Sequence, residues 1–209
     1  MILFYNLFLV VYTAGIRLVS IWNKKARLWL KGRKNYFEDL KRDFDPNNEN
    51  TIWMHCASLG EFEQGRPILI KIKSDYPEAN IIITFFSPSG YTIALKDKDF
   101  KKVFYLPMDS STNAKKLLDI LKPTLVLWVK YEYWYYHLSE IKRRNIPLLL
   151  ISGIFRNDQV FFKWYGSLYR KMLQSFTHFF IQNASSKSQL QTLISEEKIT
   201  LSGDTRCDR

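Results

Sequence analysis

The sequence has few cysteines and histidines, the residues that form the disulfides of small secreted domains or bind metal ions. It contains two cysteines, Cys56 and Cys207, and three histidines, His55, His137 and His178. The two cysteines lack the paired spacing of a disulfide framework, which fits a reducing compartment. The histidines lie far apart, with no i,i+4 pair and no Cys-x-x-Cys beside them. We therefore predict no metal site.

Common phosphate-binding and nucleophile motifs are also missing. The sequence has neither the Gly-x-Gly-x-x-Gly of dinucleotide-binding domains nor the Gly-x-x-x-x-Gly-Lys-Ser/Thr of P-loop proteins. Their absence weighs against a dinucleotide-dependent oxidoreductase and a P-loop NTPase. A Gly-x-Ser-x-Gly elbow is missing too, which weighs against a hydrolase of that type.

Acidic residues are the minority among the charged side chains. Lysine and arginine number 31 against 20 aspartates and glutamates, which gives a formal net charge of +11. Such a balance predicts an anionic partner, either nucleic acid, phospholipid headgroups or a phosphorylated substrate. The excess is concentrated between Arg17 and Arg42, where only Glu38 and Asp39 are acidic. Because this segment adjoins an apolar stretch, it favours a membrane over nucleic acid.

The apolar stretch is Met1 to Trp22, interrupted by Asn6 and Arg17. A signal peptide carries its basic residues before the apolar run, and here they follow it. About twenty apolar residues can just cross a bilayer, and the basic residues after them would lie on the cytoplasmic side. We predict a membrane-anchor helix over residues 1–22. Whether it spans the bilayer or lies in its interface stays open, and a buried helix with a solvated basic face is the soluble alternative.

Residues 23–50 read as a basic collar and a linker, which ends in the polar turn cluster Asp43–Asn50. Strand-like and helix-like segments then alternate. The strand-like runs are Thr51–Cys56, Asn80–Phe86, Lys102–Leu106, Thr124–Val129, Pro147–Ser152 and His178–Gln182. The helix-like segments are Glu61–Asp75, Gly90–Lys98, Asn113–Leu121, Tyr135–Arg144, Phe161–Ser175 and Ser185–Leu193. This pattern predicts an α/β fold over residues 51–209, a Rossmann-like, doubly wound parallel sheet.

The last eleven residues, Ile199 to Arg209, read as a short strand running into a loop that carries Gly203, Asp204 and Arg206. A loop with so many functional residue types normally leads into more protein. We therefore expect the sequence to be the first half of a larger enzyme.

Glu61 is the first candidate for chemistry. It follows the strand Thr51–Cys56 and begins a helix, and in open α/β sheets ligands bind beyond the carboxyl ends of the strands. Ser58 and Glu61 also have the spacing of a capping box, a purely structural role that spacing alone favours. In the functional interpretation the helix dipole favours the ionised form of Glu61, which then takes a proton from an incoming hydroxyl. Gly60 would let a substrate approach the backbone closely.

Polar residues also follow the other strands. Ser87, Ser89 and Gly90 suit a phosphate or a sugar at a helix start, although an ordinary N-cap explains them equally well. Lys130 and Glu132 lie among three aromatic residues. They could belong to a functional site, or they could form a partly buried ion pair with a structural role. Arg156 belongs to the loop after the fifth strand. The shared location of these residues is what indicates a site.

Taken together, the motifs resemble those of a known family. They are His55-Cys-Ala-Ser58-Leu-Gly60-Glu61, Ser87-Pro-Ser-Gly90, Tyr105-Leu-Pro-Met-Asp109, Glu132-Tyr-Trp134, Ser152-Gly-Ile-Phe-Arg156 and Gly203-Asp-Thr-Arg206. The chain is similar to the lipid A 3-deoxy-D-manno-octulosonic acid (Kdo) transferases, with the motifs in the expected order from the anchor to the last residue.

The resemblance implies the N-terminal, acceptor-binding domain of a GT-B glycosyltransferase, with the donor-binding domain absent and this half alone inactive. Such an enzyme transfers Kdo from CMP-Kdo to the lipid A precursor in lipopolysaccharide biosynthesis, with inversion and without a metal or other cofactor. It implies Glu61 as the general base. Lys130 stands where the family has the first glutamate of Glu-x-Glu-x-Trp, so that only Glu132 matches, and Arg206 replaces the lysine of Gly-Asn-x-Lys.

The remaining binding residues are expected to be Ser58, Gly60, Ser87, Ser89, Gly90 and Arg156. The implied location is the cytoplasmic face of the bacterial inner membrane. The predicted partners are the membrane, the lipid A precursor and CMP-Kdo, without nucleic acid or a partner protein. The alternative is a non-catalytic, membrane-tethered module that binds an anionic lipid or saccharide.

Overall fold

The computed structural model describes residues 1–44 and 50–205. Its centre is a parallel sheet of seven strands in the order β3-β2-β1-β4-β5-β6-β7. The strands are β1 Thr51–Cys56, β2 Asn80–Phe85, β3 Val103–Tyr105, β4 Leu125–Val129, β5 Leu148–Gly153, β6 His178–Ile181 and β7 Ile199–Leu201. From β1 the chain adds strands first on one side (β2, β3) and then on the other (β4 to β7), so the switch point lies between β1 and β4. The predicted Rossmann-like, doubly wound sheet is confirmed.

Nine α-helices are described. They are α1 Ile2–Val19, α2 Lys24–Lys31, α3 Tyr36–Asp43, α4 Leu59–Asp75, α5 Pro88–Ala94, α6 Ser111–Leu121, α7 Tyr135–Arg143, α8 Ser167–Leu173 and α9 Ala184–Leu190. Helices α4 and α5 pack into one hydrophobic core, whereas α3, α6, α7, α8 and α9 contribute to another. The two cores cover the two faces of the sheet, as continuous apolar strands require.

Element boundaries differ from the predicted ones by a few residues, and one helix is divided. The predicted helix Phe161–Ser175 is a 3-10 turn, Val160–Phe162, followed by α8. Gly166 separates the two, and a β-carbon there would lie 1.9 Å from the carbonyl oxygen of Val160. Only glycine permits so close an approach of two backbone segments.

The predicted anchor is a helix, α1, that is long and apolar enough to cross a membrane by length and composition. One side of it packs on the sheet domain through Tyr5 and Leu9, which are both 7% exposed. The Tyr5 hydroxyl donates a hydrogen bond to Asp109 at 2.6 Å, and the Tyr136 hydroxyl donates one to Asn6 at 2.8 Å. The helix is therefore docked on the domain through polar as well as apolar contacts.

Much of the remaining surface of α1 is apolar and exposed: Leu3, Phe4, Leu7, Phe8, Val10, Val11 and Leu18 are all at least half exposed. The predicted collar and linker contains two short helices, α2 and α3, which pack through the buried residues Trp29, Tyr36 and Leu40. Residues 45–49 of that linker lie outside the described residues. The division of the chain at residues 22 and 50 stays a prediction.

Candidate active site

The carboxyl ends of β1, β2, β4 and β5 converge at one edge of the sheet. β1 pairs with both β2 and β4, and β4 pairs with β5, all in parallel. The loops that follow these strands therefore meet at that edge, and they carry the candidate residues Glu61, Ser87, Glu132 and Arg156. This is where ligands bind in open α/β sheets.

Glu61 lies on the first turn of α4 and is only 6% exposed. The backbone N–H of Ser58 donates a hydrogen bond to Glu61 Oε2 at 3.0 Å, which is the carboxylate half of a capping box. Burial and then the charge of Glu132 raise the pKa of Glu61 from 4.5 to about 7, although the amides of Ser58, Ala57 and Tyr131 favour the ionised form. Burial thus outweighs the helix dipole, which by itself would favour ionisation.

A pKa of about 7 suits proton transfer at neutral pH. Below that pH the carboxyl of Glu61 is mostly protonated, and above it the carboxylate is available as a base. The capping interaction and a role as base are compatible, because the Ser58 amide bonds to Oε2 and a carboxylate has two oxygens with about four acceptor sites in all.

Three neighbours hold Glu132 in place. Its Oε2 lies 3.1 Å from His55 Nε2 and accepts a hydrogen bond from Trp134 Nε1 at 3.1 Å. Its backbone carbonyl accepts a hydrogen bond from Trp128 Nε1 at 2.6 Å. The His55 ring packs on the Trp128 ring with centroids 4.3 Å apart. These contacts fix the orientation of the Glu132 carboxylate.

The hydrogen bonds around His55 indicate its tautomer. His55 is fully buried, and burial lowers its pKa, so the ring is neutral at pH 7. Thr84 Oγ1 accepts a hydrogen bond from Trp53 Nε1 at 2.8 Å and lies 2.9 Å from His55 Nδ1. With the threonine hydroxyl donating to Nδ1, the ring proton is on Nε2 and points at the Glu132 carboxylate. His55 therefore stabilises Glu132 without adding a full positive charge.

Two residues at the strand ends have a left-handed backbone. Lys130, just after β4, has φ +54°, and Ser152, near the end of β5, has φ +55°. Non-glycine residues rarely adopt this region, and those that do are concentrated at functional sites. The Lys130 ammonium lies 5.4 Å from the centre of the Tyr131 ring. The sequence motif around Lys130 and Glu132 is thus a sharply turned loop whose backbone is held by specific contacts.

The loop after β7 returns to α4. Thr205 donates a hydrogen bond to the carbonyl oxygen of Gln64 at 2.6 Å, and its hydroxyl lies 3.0 Å from that of Ser152. The Gln64 side chain donates a hydrogen bond to Asp204 at 3.2 Å. The motif Gly203-Asp-Thr-Arg206 is therefore tied, through Asp204 and Thr205, to the helix that carries Glu61. Arg206 itself lies outside the described residues.

The two predicted glycines have different surroundings. A β-carbon on Gly60 would meet nothing within 4 Å, which leaves open space beside Glu61. A β-carbon on Gly90 would lie 2.3 Å from the Phe85 ring and 3.0 Å from the Leu59 amide nitrogen. The packing of α5 against β2 and α4 thus accounts for Gly90 without a ligand.

Ser87 is the N-cap of α5, and its hydroxyl accepts a hydrogen bond from the Ser89 amide at 3.3 Å. The two serine hydroxyls lie 2.9 Å apart at the exposed end of the helix. Arg156 is exposed, with its guanidinium 3.5 Å from Asp158. The assignment of these residues to substrate binding stays a prediction.

Sequence reasoning assigned no role to several residues that the structure brings into the site. His55 and Thr84 occupy inward-facing strand positions. A polar residue between apolar ones in a buried strand is the sequence feature that could have identified them. Asp109, from another of the resembling motifs, instead joins α1 to α7, because its carboxylate accepts hydrogen bonds from Tyr5 and from the Tyr136 and His137 amides. Within residues 1–44 and 50–205, no cluster of three or more His, Cys, Asp or Glu side chains could hold a metal ion.

The fold and this strand-end site define the class of the protein as a Rossmann-like domain of the GT-B type. Two solved structures have the same fold. They are the UDP-GlcNAc 2-epimerases of Neisseria meningitidis, with a TM-score of 0.59 and 17% identity, and of Methanocaldococcus jannaschii, with a TM-score of 0.55 and 16% identity. The match covers 76% of this chain in both cases, and 48% and 46% of the respective epimerase chains.

Sequence comparison gives the family. The model of the 3-deoxy-D-manno-octulosonic-acid transferases (kdotransferases) matches residues 31–209. The chain is 30% identical to the 3-deoxy-D-manno-octulosonic acid transferase of Aquifex aeolicus over 142 residues, which is 66% of this chain and 36% of the relative. It is 28% identical to that of Chlamydia trachomatis over 171 residues, 80% of this chain and 40% of the relative. The chain belongs to this family, as the motifs predicted.

A bifunctional glycosyltransferase/methyltransferase of Fusobacterium nucleatum is also similar, with 30% identity over 159 residues. That match covers 74% of this chain and 25% of the relative. The chain thus spans between a quarter and two fifths of the length of these relatives.

Proposed function

We propose that the chain is the acceptor-binding half of a glycosyltransferase that transfers Kdo from CMP-Kdo to the lipid A precursor. The observation that carries the proposal is the Glu61 carboxyl, placed at a strand end beside open space and with its pKa raised to about 7, in a chain of the kdotransferase family. The reaction belongs to lipopolysaccharide biosynthesis.

Glu61 acts as the general base. Its carboxylate takes the proton of the acceptor hydroxyl as the oxygen of that hydroxyl forms a bond to the anomeric carbon of Kdo. The bond between that carbon and the phosphate oxygen of CMP-Kdo breaks, and CMP leaves with the bonding electrons. Attack from the side opposite the leaving group inverts the anomeric configuration. A single positioned base contributes typically 10²–10⁴-fold to such a step.

Glu132 tunes and positions the base. Its negative charge adds to burial in raising the pKa of Glu61, and its own carboxylate is oriented by His55 and Trp134. A carboxyl with a pKa well below neutrality would accept a proton less readily, so this coupling favours catalysis near pH 7.

Cationic side chains stabilise negative charge at the site. Lys130 follows β4, two residues before Glu132, and we assign it to the charge that develops on the departing phosphate. Arg206 has the same role in the proposal, because a guanidinium binds phosphate or carboxylate through two hydrogen bonds. No cofactor is required by this scheme.

The acceptor sugar occupies the exposed surface around Gly60, with Ser58, Ser87 and Ser89 as hydrogen-bonding partners and Arg156 for an acceptor phosphate. Gly60 offers the open space that a sugar ring needs next to a general base. Gly90 contributes indirectly, because the absence of a side chain allows α5 to pack closely against Phe85 and Leu59.

The protein acts at the cytoplasmic face of the inner membrane, attached by α1. Because Tyr5 and Asn6 are hydrogen-bonded to the sheet domain, a fully spanning α1 would have to give up these contacts. The docked helix instead exposes its apolar side to the membrane interface, which is the monotopic arrangement. The acceptor would then reach the site from the bilayer surface.

A transfer assay tests the proposal. The protein expressed from the complete reading frame is incubated with the lipid A precursor and either CMP-Kdo or UDP-GlcNAc, and products are identified by mass spectrometry. We expect a mass increase of the acceptor by Kdo with CMP-Kdo alone. Acceptor binding without transfer from either donor would contradict the proposal and favour the non-catalytic lipid- or saccharide-binding module.

A further inference from the structure

A cavity of about 540 Å³ lies away from the Glu61 site, between α1, α2, α3 and the start of α6. Four cationic side chains line it: Arg17, Arg33, Lys34 and Lys116. Among the described residues, none of the four forms an ion pair. The acidic side chain that lines the cavity, Glu38, is exposed. Around the cavity, cationic side chains therefore outnumber acidic ones by four to one.

Two residues that line this cavity also carry enclosed donor atoms without a partner. Trp29 and Tyr36 line it and are each 6% exposed. Within the described part of the chain, Trp29 Nε1 and the Tyr36 hydroxyl make no hydrogen bond. Burial raises the pKa of Tyr36, so its hydroxyl stays protonated and able to donate. Buried donors without acceptors are uncommon and costly, and they call for an acceptor that the protein does not supply.

Arg33 supplies the most confined of the charges. Its guanidinium donates only to backbone carbonyls, those of Leu106, Trp29 and Phe86 at 2.8 to 3.2 Å, and it lies 3.9 Å from the centre of the Trp29 ring. Burial lowers the pKa of Arg33 to about 9, which still leaves it charged at pH 7. Its hydrogen-bond partners are all neutral, although the charge of Glu132 also favours its protonated form, and an anion placed nearby stabilises such a buried cation further.

The cavity continues towards the membrane-facing helix. A second cavity of about 330 Å³ shares the lining residues Thr13, Arg17 and Met108 with the first and runs along α1 past Leu9 and Val10. One end of the combined space is cationic and rich in donors, and the other is largely apolar. That division matches an amphiphile with an anionic headgroup and a hydrocarbon chain.

We infer that this cavity binds the phosphate headgroup of an anionic membrane phospholipid, with an acyl chain lying along α1. Trp29 Nε1 and the Tyr36 hydroxyl are enclosed in the free protein, and a small movement of these side chains on binding lets them donate hydrogen bonds to the phosphate oxygens. Arg17, Arg33, Lys34 and Lys116 neutralise the charge of the phosphate. The bound lipid holds α1 and the two short helices after it at a fixed depth in the membrane surface. The bound lipid is a ligand distinct from the substrates of the transfer reaction, since neither Glu61 nor Glu132 lines the cavity, although the charge of Glu132 acts on Arg33.

Calorimetric titration of the whole chain with dihexanoylphosphatidylglycerol tests the inference. Tyr36→Phe removes a hydroxyl that has no partner in the free protein, so its melting temperature should stay unchanged or rise. Its affinity for the lipid should fall about tenfold or more, as expected for a lost hydrogen bond to a charged group. Tyr76→Phe, at the exposed end of α4, is the matched control and should bind like the wild type.

Charge and headgroup are tested in the same way. Lys34→Gln should weaken binding several-fold, whereas Lys96→Gln, which changes the net charge equally at an exposed position after α5, should not. Dihexanoylphosphatidylcholine and inorganic phosphate should each bind at least about tenfold more weakly than the phosphatidylglycerol. Glu61→Gln should bind the lipid normally, so a failed transfer assay leaves this inference standing.

Three results would overturn it. Equal lipid affinity of Tyr36→Phe and wild type would show that the Tyr36 hydroxyl does not bind the phosphate. Equal affinity for phosphatidylcholine would mean that only the chains are recognised. Equal affinity for inorganic phosphate would mean that the cavity is an anion site without a lipid.

Discussion

Replacing Glu61 by glutamine is expected to make the chain more stable at alkaline pH. Glutamine has nearly the same shape and keeps a carbonyl oxygen that can accept the Ser58 amide hydrogen bond. The change therefore removes the ionisable group while preserving the helix start. What it eliminates is the cost of ionising a carboxyl that is only 6% exposed and lies near Glu132.

The size of the effect follows from the pKa. Glu61 has a pKa of about 7 in the folded protein against the ordinary value of 4.5, a difference of about 2.5 units or ~3 kcal/mol. Because the folded pKa is the higher one, the contribution of Glu61 to stability is fully present below pH 4.5 and is lost as the pH rises through about 7. Wild type and Glu61→Gln should thus be equally stable near pH 4 and differ by about 3 kcal/mol at pH 8.

Urea denaturation of both chains at several pH values between 4 and 9 measures this difference. Glu78→Gln, an exposed glutamate before β2, is the matched control and should follow the wild type at every pH. A Glu61→Gln variant that is less stable than the wild type at pH 8, or a difference that does not change with pH, would refute the reasoning. In that case capping, and not a strained buried carboxyl, would be the main role of Glu61.

Three further outcomes are expected. Glu132→Gln removes a charge that raises the pKa of Glu61, so the carboxyl titration of Glu61, followed by NMR, should move to lower pH. Asp109→Asn disrupts a carboxylate that is 3% exposed and accepts four hydrogen bonds, and it should lower the free energy of unfolding in urea by about 3 kcal/mol. Gly90→Ala should cost about 1–3 kcal/mol through overcrowding, seen as a lower melting temperature, whereas Gly60→Ala, with nothing within 4 Å of the new β-carbon, should melt at or above the wild-type temperature.

The sheet could be predicted from the sequence because its strands are buried on both faces. Runs such as Thr51–Cys56 and Leu148–Gly153 are almost entirely apolar, and helices of ordinary length separate them. The pattern that defines a doubly wound sheet is therefore local and strong. The order of the strands and the division of the predicted helix at Gly166 depend on tertiary packing, which periodicity does not contain.

The N-terminal region was predicted less completely. The apolar stretch indicated a helix, but the sequence gives no sign that Tyr5 reaches Asp109, because the two residues are 104 positions apart. The basic segment after it was expected to be a collar and a linker, and α2 and α3 were not anticipated. Both are amphipathic but only eight residues long, and they pack through one or two buried side chains each, so their basic, polar composition outweighed their short period.

The candidate site was predictable as a location and only partly as a set of contacts. The positions of Glu61 and Glu132 after predicted strands indicated a site. In the structure the two are close enough that the charge of Glu132 raises the pKa of Glu61. The support of Glu132 by His55 depends on the register between β1 and β4, which places His55 opposite Trp128. Contacts of this kind, made by a residue that supports a site residue, depend on strand pairing. They cannot be predicted from the sequence pattern of a single strand.

The general-base role of Glu61 is the central claim, and the turnover number of Glu61→Gln tests it most directly. The measurement compares wild type, Glu61→Gln and Glu78→Gln in the protein expressed from the complete reading frame, with CMP-Kdo and the lipid A precursor. Loss of a positioned base predicts a kcat that is about 10²–10⁴-fold lower for Glu61→Gln, with little change in the KM for the acceptor, and normal turnover for Glu78→Gln. A Glu61→Gln enzyme with near-normal kcat at pH 7 would contradict the account.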